Sequence, residues 1–126
     1  MINKIDKKYK ESFDVIFMLE VSEYCWNIYQ ALLNVKQLLK KGGIFYLSTH
    51  FIYPVHQPIE FDSIRLTPRG VEKLLEETGF EILEMKPRLL RDVGFMYGVY
   101  SREGMRPAKN YDKHNFVGCL VKAQKK

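Results

Sequence analysis

No G-x-G-x-x-G and no Walker G-x-x-x-x-G-K pattern occurs among the eight glycines of this 126-residue chain. A glycine-rich loop that wraps the phosphates of a nucleotide is therefore excluded. Cysteine is scarce: Cys25 and Cys119 stand far apart, form neither a CxxC pair nor a zinc-ligand spacing, and read as reduced thiols of a cytoplasmic protein. No apolar run reaches the length of a transmembrane helix, and the opening "MINKIDKKYK" lacks the apolar core of a secretion signal. There is no internal repeat, low-complexity tract or Pro/Ser-rich linker, so residues 1–126 read as a single domain.

A hydrophobic fraction of 46% with 13% aromatics is what a packed core needs. The net charge of +5 is uneven. Residues 1–12, a basic arm, carry four Lys against two acids; residues 13–85 carry six basic against ten acidic residues; residues 86–126 carry ten against three. A basic tail can draw nucleic acid or phosphorylated sugars. These charges are scattered through aromatic and glycine-bearing sequence instead of lining one helix, so a solvated surface is the better reading and nucleic acid is not favoured.

The adjacent pair Gly42-Gly43 follows a helical pattern and precedes the apolar run Ile44–Leu47. A phosphate loop has the opposite order, strand then helix. Ile28, Leu32, Val35 and Leu39 recur at helical spacing, predicting a helix over 25–40 with Lys40 and Lys41 at its negative end. Gly42 then suits the left-handed position that stops it. "FDVIFML" (13–19) and residues 44–49 read as strands, so 13–49 is a β-α-β unit with parallel strands. Residues 50–66 form a long loop rich in aromatics, His and Pro. Thr67-Pro68 signals a helix start, Val71, Leu74, Leu75 and Thr78 its buried face, and Gly79 its end. Strands follow at 80–85 and 115–123, while 86–114 gives no clear pattern. The order β-α-β-α-β-β predicts an α/β fold with parallel strands and a C-terminal antiparallel hairpin.

"FDVIFMLEVSEYCWN", then a helix, "LLKKGGIFYLST", a loop and "LTPRGVEKLLEETGFEIL" resemble, in that order, the second half of class I S-adenosylmethionine-dependent methyltransferases. That family shows an FD-apolar strand, a Glu-Val-x-Glu-His stretch, an LxPGG segment and a helix ending in GF. "YPVHQPIEFDSIRLTPRG" resembles members in which Tyr-Pro, His and Asp-x-x-Arg-x-Thr follow the fifth strand. The resemblance implies a partial Rossmann-like sheet and S-adenosylmethionine as cofactor, with Met18, Leu19 and Glu20 as its remaining wall. This chain departs from the pattern in having Lys41 for the usual Pro and Tyr24 for the usual His. The family's Gly-rich turn and ribose-binding acid precede this half, and only twelve residues precede Phe13. The isolated chain is accordingly expected to bind the cofactor weakly or not at all.

Tyr53, His56, Asp62 and Arg65 of the loop are the candidate acceptor-binding residues, with a small or sugar-like acceptor. His56 is a candidate general base because imidazole is the side chain suited to accepting a proton near neutral pH. Asp62 and Arg65, three apart, are expected to form a local ion pair that shapes the loop. His50, His56, Glu60 and Asp62 are metal-competent types whose spacing matches no ligand pattern, so no metal site is assigned. Two classes stay open: a methyltransferase completed by a second copy or by a separate chain supplying the cofactor half, or a catalytically inactive remnant acting as a binding or assembly subunit. An unpaired edge on residues 13–19 would be the place of assembly.

Overall fold

The computed structural model describes residues 5–88 and 117–126. Four strands form one sheet: β1 (Phe13–Leu19), β2 (Leu39–His50), β3 (Phe80–Arg88) and β4 (Gly118–Lys125). Helix α1 (Ile28–Leu38) links β1 to β2, and α2 (Pro68–Glu77) links β2 to β3. The spatial order is β1-β2-β4-β3. β1 and β2 are parallel, and β4 runs antiparallel to both β2 and β3. The α/β architecture expected from the sequence is the one found, closing antiparallel pair included. Of the unpatterned stretch 86–114, residues 86–88 extend β3 and 89–114 lie outside the described residues. Among the described residues, no helix is long and apolar enough to cross a membrane.

Alternation along the strands divides the sheet into two faces. Met18, Phe45, Leu47, Val121 and Ala123 turn toward the helices and are buried with Leu32 of α1 and Val71 and Leu75 of α2. The Phe45 and Phe80 rings meet at 5.4 Å. Each of these side chains except Ala123 contributes roughly 1.5–3 kcal/mol on burial. The intervening residues look the other way. Phe17 stacks on Tyr46 at 5.0 Å yet stays 63% exposed, and Val15, Leu19 and Leu120 are also exposed. No helix among the described residues covers this face, and β1 forms an edge of the sheet.

Two boundaries differ from the periodicity. The helix predicted over 25–40 is shorter at both ends: a tight turn occupies Ser22–Tyr24, and the Asn27 side chain caps α1 by accepting from the Gln30 N–H at 3.1 Å. At the other end Leu39 is fully buried as the first residue of β2, because pairing with Phe13 claims it for the sheet. Gly42 does adopt a left-handed φ of 74°, but inside β2. There the register jumps from Phe13↔Leu39 to Val15↔Ile44, so the glycine pair forms a bulge and does not stop the helix. Around α2 the expectation holds: the Thr67 hydroxyl accepts from the Gly70 N–H at 3.0 Å, and Gly79 closes the helix at φ 84°.

Candidate functional site

The carboxyl ends of β1 and β2 lie side by side, which places Glu20 next to the last residues of β2. Glu20 is left-handed, φ 55°, and its N–H donates to the Ser48 hydroxyl at 2.9 Å. That hydroxyl donates in turn to Glu20 Oε1 at 2.5 Å, and Arg88 Nη1 donates to the same oxygen at 2.6 Å. The other carboxylate oxygen contacts His50 Nε2. Partial burial alone would raise the Glu20 pKa; the Ser48 and Arg88 hydrogen bonds outweigh it, and the carboxyl is held below its ordinary value. His50 is shifted down, because burial disfavours its charged form more than Glu20 and Glu23 favour it.

The 50–66 loop folds over this edge. Tyr53 stacks on His50 with ring centroids 4.2 Å apart and meets His56 edge-on at 5.3 Å. Asp62 and Arg65 form the ion pair that their spacing implied: Arg65 Nη2 donates to Asp62 Oδ2 at 2.8 Å, and Nη1 contacts Oδ1. Asp62 Oδ2 also accepts the His56 N–H at 2.8 Å. Arg65 spends its remaining donors on the carbonyls of Tyr53, Pro54 and Ile64, at 3.4, 3.2 and 2.8 Å. The pair is thus a clasp that folds the loop on itself. The Arg65 hydrogen bond holds the Asp62 carboxyl well below the usual carboxylate range.

Directly beneath sits the turn Ser22–Tyr24. Glu23 is 1% exposed, and its carbonyl accepts the N–H groups of Ser63 and Ile64, at 2.9 and 3.3 Å, which docks the loop onto the turn. The Tyr24 hydroxyl donates to the Gln57 carbonyl at 2.9 Å and lies 2.8 Å from His56 Nδ1. Burial and the Glu23 and Asp62 carboxylates push the Tyr24 phenol above its ordinary value, so it stays a hydroxyl.

Tyr53, His56, Asp62 and Arg65 therefore come together at the carboxyl edge beside Glu20. Met18 lies in the core under the helices, whereas Leu19 is 50% exposed on the uncovered side. Phe61 sits apart, along a shallow groove with Trp26 and Gln30. Glu60 is exposed and joins no cluster. Sequence reasoning missed Glu23, Tyr24, Ser48 and Arg88, and gave His50 no role. The "EVSE" stretch was the available signal, since it places Glu20 and Glu23 on one turn past the strand.

S-adenosylmethionine requires an apolar wall, donors for its methionine part and an acid for its ribose hydroxyls. Here Met18 is committed to the core and the Glu20 carboxylate to Ser48, Arg88 and His50, which leaves Leu19. The described residues do not by themselves fit the cofactor.

Residues 4–47 match the model of a methyltransferase domain family. Among solved structures, the chain is similar to an S-adenosylmethionine-dependent methyltransferase from Mesorhizobium loti (17% identity, TM-score 0.61), with 92% of this chain and 63% of that chain covered. It is similar to one from Methanosarcina mazei (16%, TM-score 0.62), with 93% and 61% covered. A third likeness is to a methyltransferase of Haloferax volcanii in complex with the Trm112 methyltransferase activator (16%, TM-score 0.60), with 91% and 55% covered. The chain thus spans less than two thirds of each of these proteins. No curated protein matches the sequence. The resemblance to S-adenosylmethionine-dependent methyltransferases is borne out by the methyltransferase domain family matched over residues 4–47 and by the shared fold of the described residues.

Proposed function

We propose that this chain is the acceptor-side part of a class I S-adenosylmethionine-dependent methyltransferase, and that methyl transfer requires a second polypeptide seated against β1. That polypeptide is a separate chain bringing the cofactor-binding strands; a second copy, which has the same sequence, would cap the β1 edge without supplying them. The carrying observation is a sheet face that no helix among the described residues covers. In a doubly wound fold both faces are covered, yet Val15, Phe17, Leu19 and Leu120 are between 42% and 63% exposed, and β1 is an edge strand. An apolar edge without charge or proline between Val15 and Leu19 is a template for further pairing.

In this reading Tyr53 and His56 face a small or sugar-like acceptor at the carboxyl edge, Asp62 and Arg65 keep the loop in place, and Leu19 meets the cofactor. The protein's contribution to methyl transfer is to position the reactants and exclude water. Calorimetry with S-adenosylmethionine tests it: the isolated chain should show no micromolar binding, and addition of the partner should create it. Light scattering should show a dimer or larger species that Phe17→Lys disrupts. A micromolar dissociation constant for a stable monomer would overturn the proposal. An assembly that forms yet binds no cofactor would favour the second reading, a non-catalytic assembly subunit.

A further inference from the structure

Three carboxylates converge at the carboxyl edge, and two of them have a guanidinium of their own: Glu20 has Arg88 and Asp62 has Arg65. Glu23, 1% exposed, has none among the described residues. Its Oε1 is buried without a hydrogen-bond partner, and so is His56 Nε2. These two orphan atoms point at each other across 3.6 Å, too far for a hydrogen bond, and His50 Nε2 lies 3.8 Å from the same oxygen. One ligand atom from each of Glu23, His50 and His56 falls within 4.8 Å of the others. The other Glu23 oxygen accepts only the Ser22 hydroxyl at 3.4 Å, and a buried carboxylate with so little compensation is costly and calls for a cation.

The hydrogen bonds around His56 accommodate the metal-binding tautomer. The Gln57 carbonyl, 3.2 Å from Nδ1, can only accept. With the Tyr24 hydroxyl donating to that same carbonyl at 2.9 Å, its oxygen, 2.8 Å from Nδ1, is free to accept. In that arrangement Nδ1 carries the proton and Nε2 presents its lone pair to Glu23 Oε1, 3.6 Å away. Two lone pairs held face to face in a buried site repel unless a positive ion lies between them. An Nδ1–H imidazole fixed by outer hydrogen bonds is the form in which histidine ligates metals.

We propose that Glu23, His50 and His56 form a binding site for a divalent transition-metal ion. Two imidazoles and one carboxylate favour zinc, cobalt, nickel or ferrous iron over magnesium and calcium, which prefer all-oxygen shells. Ligand atoms around a tetrahedral zinc stand roughly 3.4 Å apart, so small side-chain movements close the site. His50 must turn its Nε2 from Glu20 toward Glu23, and the Glu20 carboxylate is then free to support the site from outside. Three protein donors leave a coordination position open. This assignment does not depend on the proposed methyl transfer.

The test is titration of the untagged, metal-stripped chain with Co²⁺, followed by its visible absorption, and with Zn²⁺ by calorimetry. One equivalent should bind, with nitrogen/oxygen-ligand bands and no thiolate charge-transfer band, and the melting temperature should rise. Millimolar Mg²⁺ should neither compete nor shift the melt. Glu23→Gln and His56→Asn should each weaken Co²⁺ binding at least tenfold, and Tyr24→Phe about tenfold through loss of its hold on the ring. The loop position of His56 keeps that variant informative if the Glu23 variant does not fold. Absence of stoichiometric Co²⁺ and Zn²⁺ binding by the wild-type chain would overturn the proposal. So would binding that folded His56→Asn leaves intact, or that carries a thiolate band.

Discussion

The Ser48 hydroxyl accepts the backbone N–H of Glu20 at 2.9 Å and donates to its carboxylate at 2.5 Å, across 28 residues of sequence. One buried side chain of β2 thus fixes both the left-handed backbone and the side chain of the residue that ends β1. Ser48→Ala removes both bonds and leaves the Glu20 N–H without its acceptor. A loss of about 1–3 kcal/mol in urea denaturation is expected, whereas Ser48→Thr should retain part of it.

Asp62 should dominate the acid sensitivity of the loop. Its carboxyl pKa is lowered in the folded state, first by the Arg65 hydrogen bond. The stability it contributes is therefore fully present above the ordinary carboxylate pKa and is lost as the pH falls from there toward the folded value. Asp62→Asn should lower stability at pH 7 and flatten the decline below about pH 4, measured by chemical denaturation over a pH series. An unchanged acid limb would show that the clasp contributes little.

Gly118 lies opposite His50 in the β2–β4 ladder, and a Cβ built on it would stand 2.0 Å from the Thr49 carbonyl oxygen. Backbone cannot yield as a flexible side chain can. Gly118→Ala should therefore cost roughly 1–3 kcal/mol and displace the end of β2, seen as shifted amide resonances around Thr49 and His50.

The two thiols should differ in access. Burial raises both pKa values, but Cys119 is 1% exposed in the core and Cys25 only half-buried. With a disulfide reagent at pH 8, Cys25 should react slowly in the native protein and Cys119 only after unfolding. Fast modification of both without denaturant would contradict the packing of β4.

What could be read in the sequence was local. Thr67-Pro68 and Gly79 delimit α2 through contacts within a few residues, and Asp62 and Arg65 sit three apart, so these features followed from spacing alone. The strand at 13–19 is apolar enough to declare itself. α1 was drawn too long because Leu39 continues its helical spacing, while the pairing that takes Leu39 into β2 comes from Phe13. Gly42 showed its left-handed need but not its bulge, which also depends on β1. The site was legible only in part for the same reason. Glu20 at the strand end could be foreseen, whereas Arg88 reaches it from 68 residues away and His56 reaches Tyr24 from 32.

The position of β4 constrains when this chain can fold. It is the last of the described strands in chain order, yet it lies between β2 and β3 and pairs with both, Ile44 with Gln124 and Phe80 with Lys125. Until Gly118–Lys125 has been synthesised, β3 has no neighbour among the described strands, and Phe45 and Phe80 lack the Val121 and Ala123 surface that completes their layer. The nascent chain can pair β1 with β2 early, but must carry an unfinished apolar layer until β4 joins β3 to them through contacts distant in sequence. Such an interval is when exposed strands associate wrongly, so the yield of folded protein should depend on chaperones that shield the growing chain and on how quickly β4 arrives.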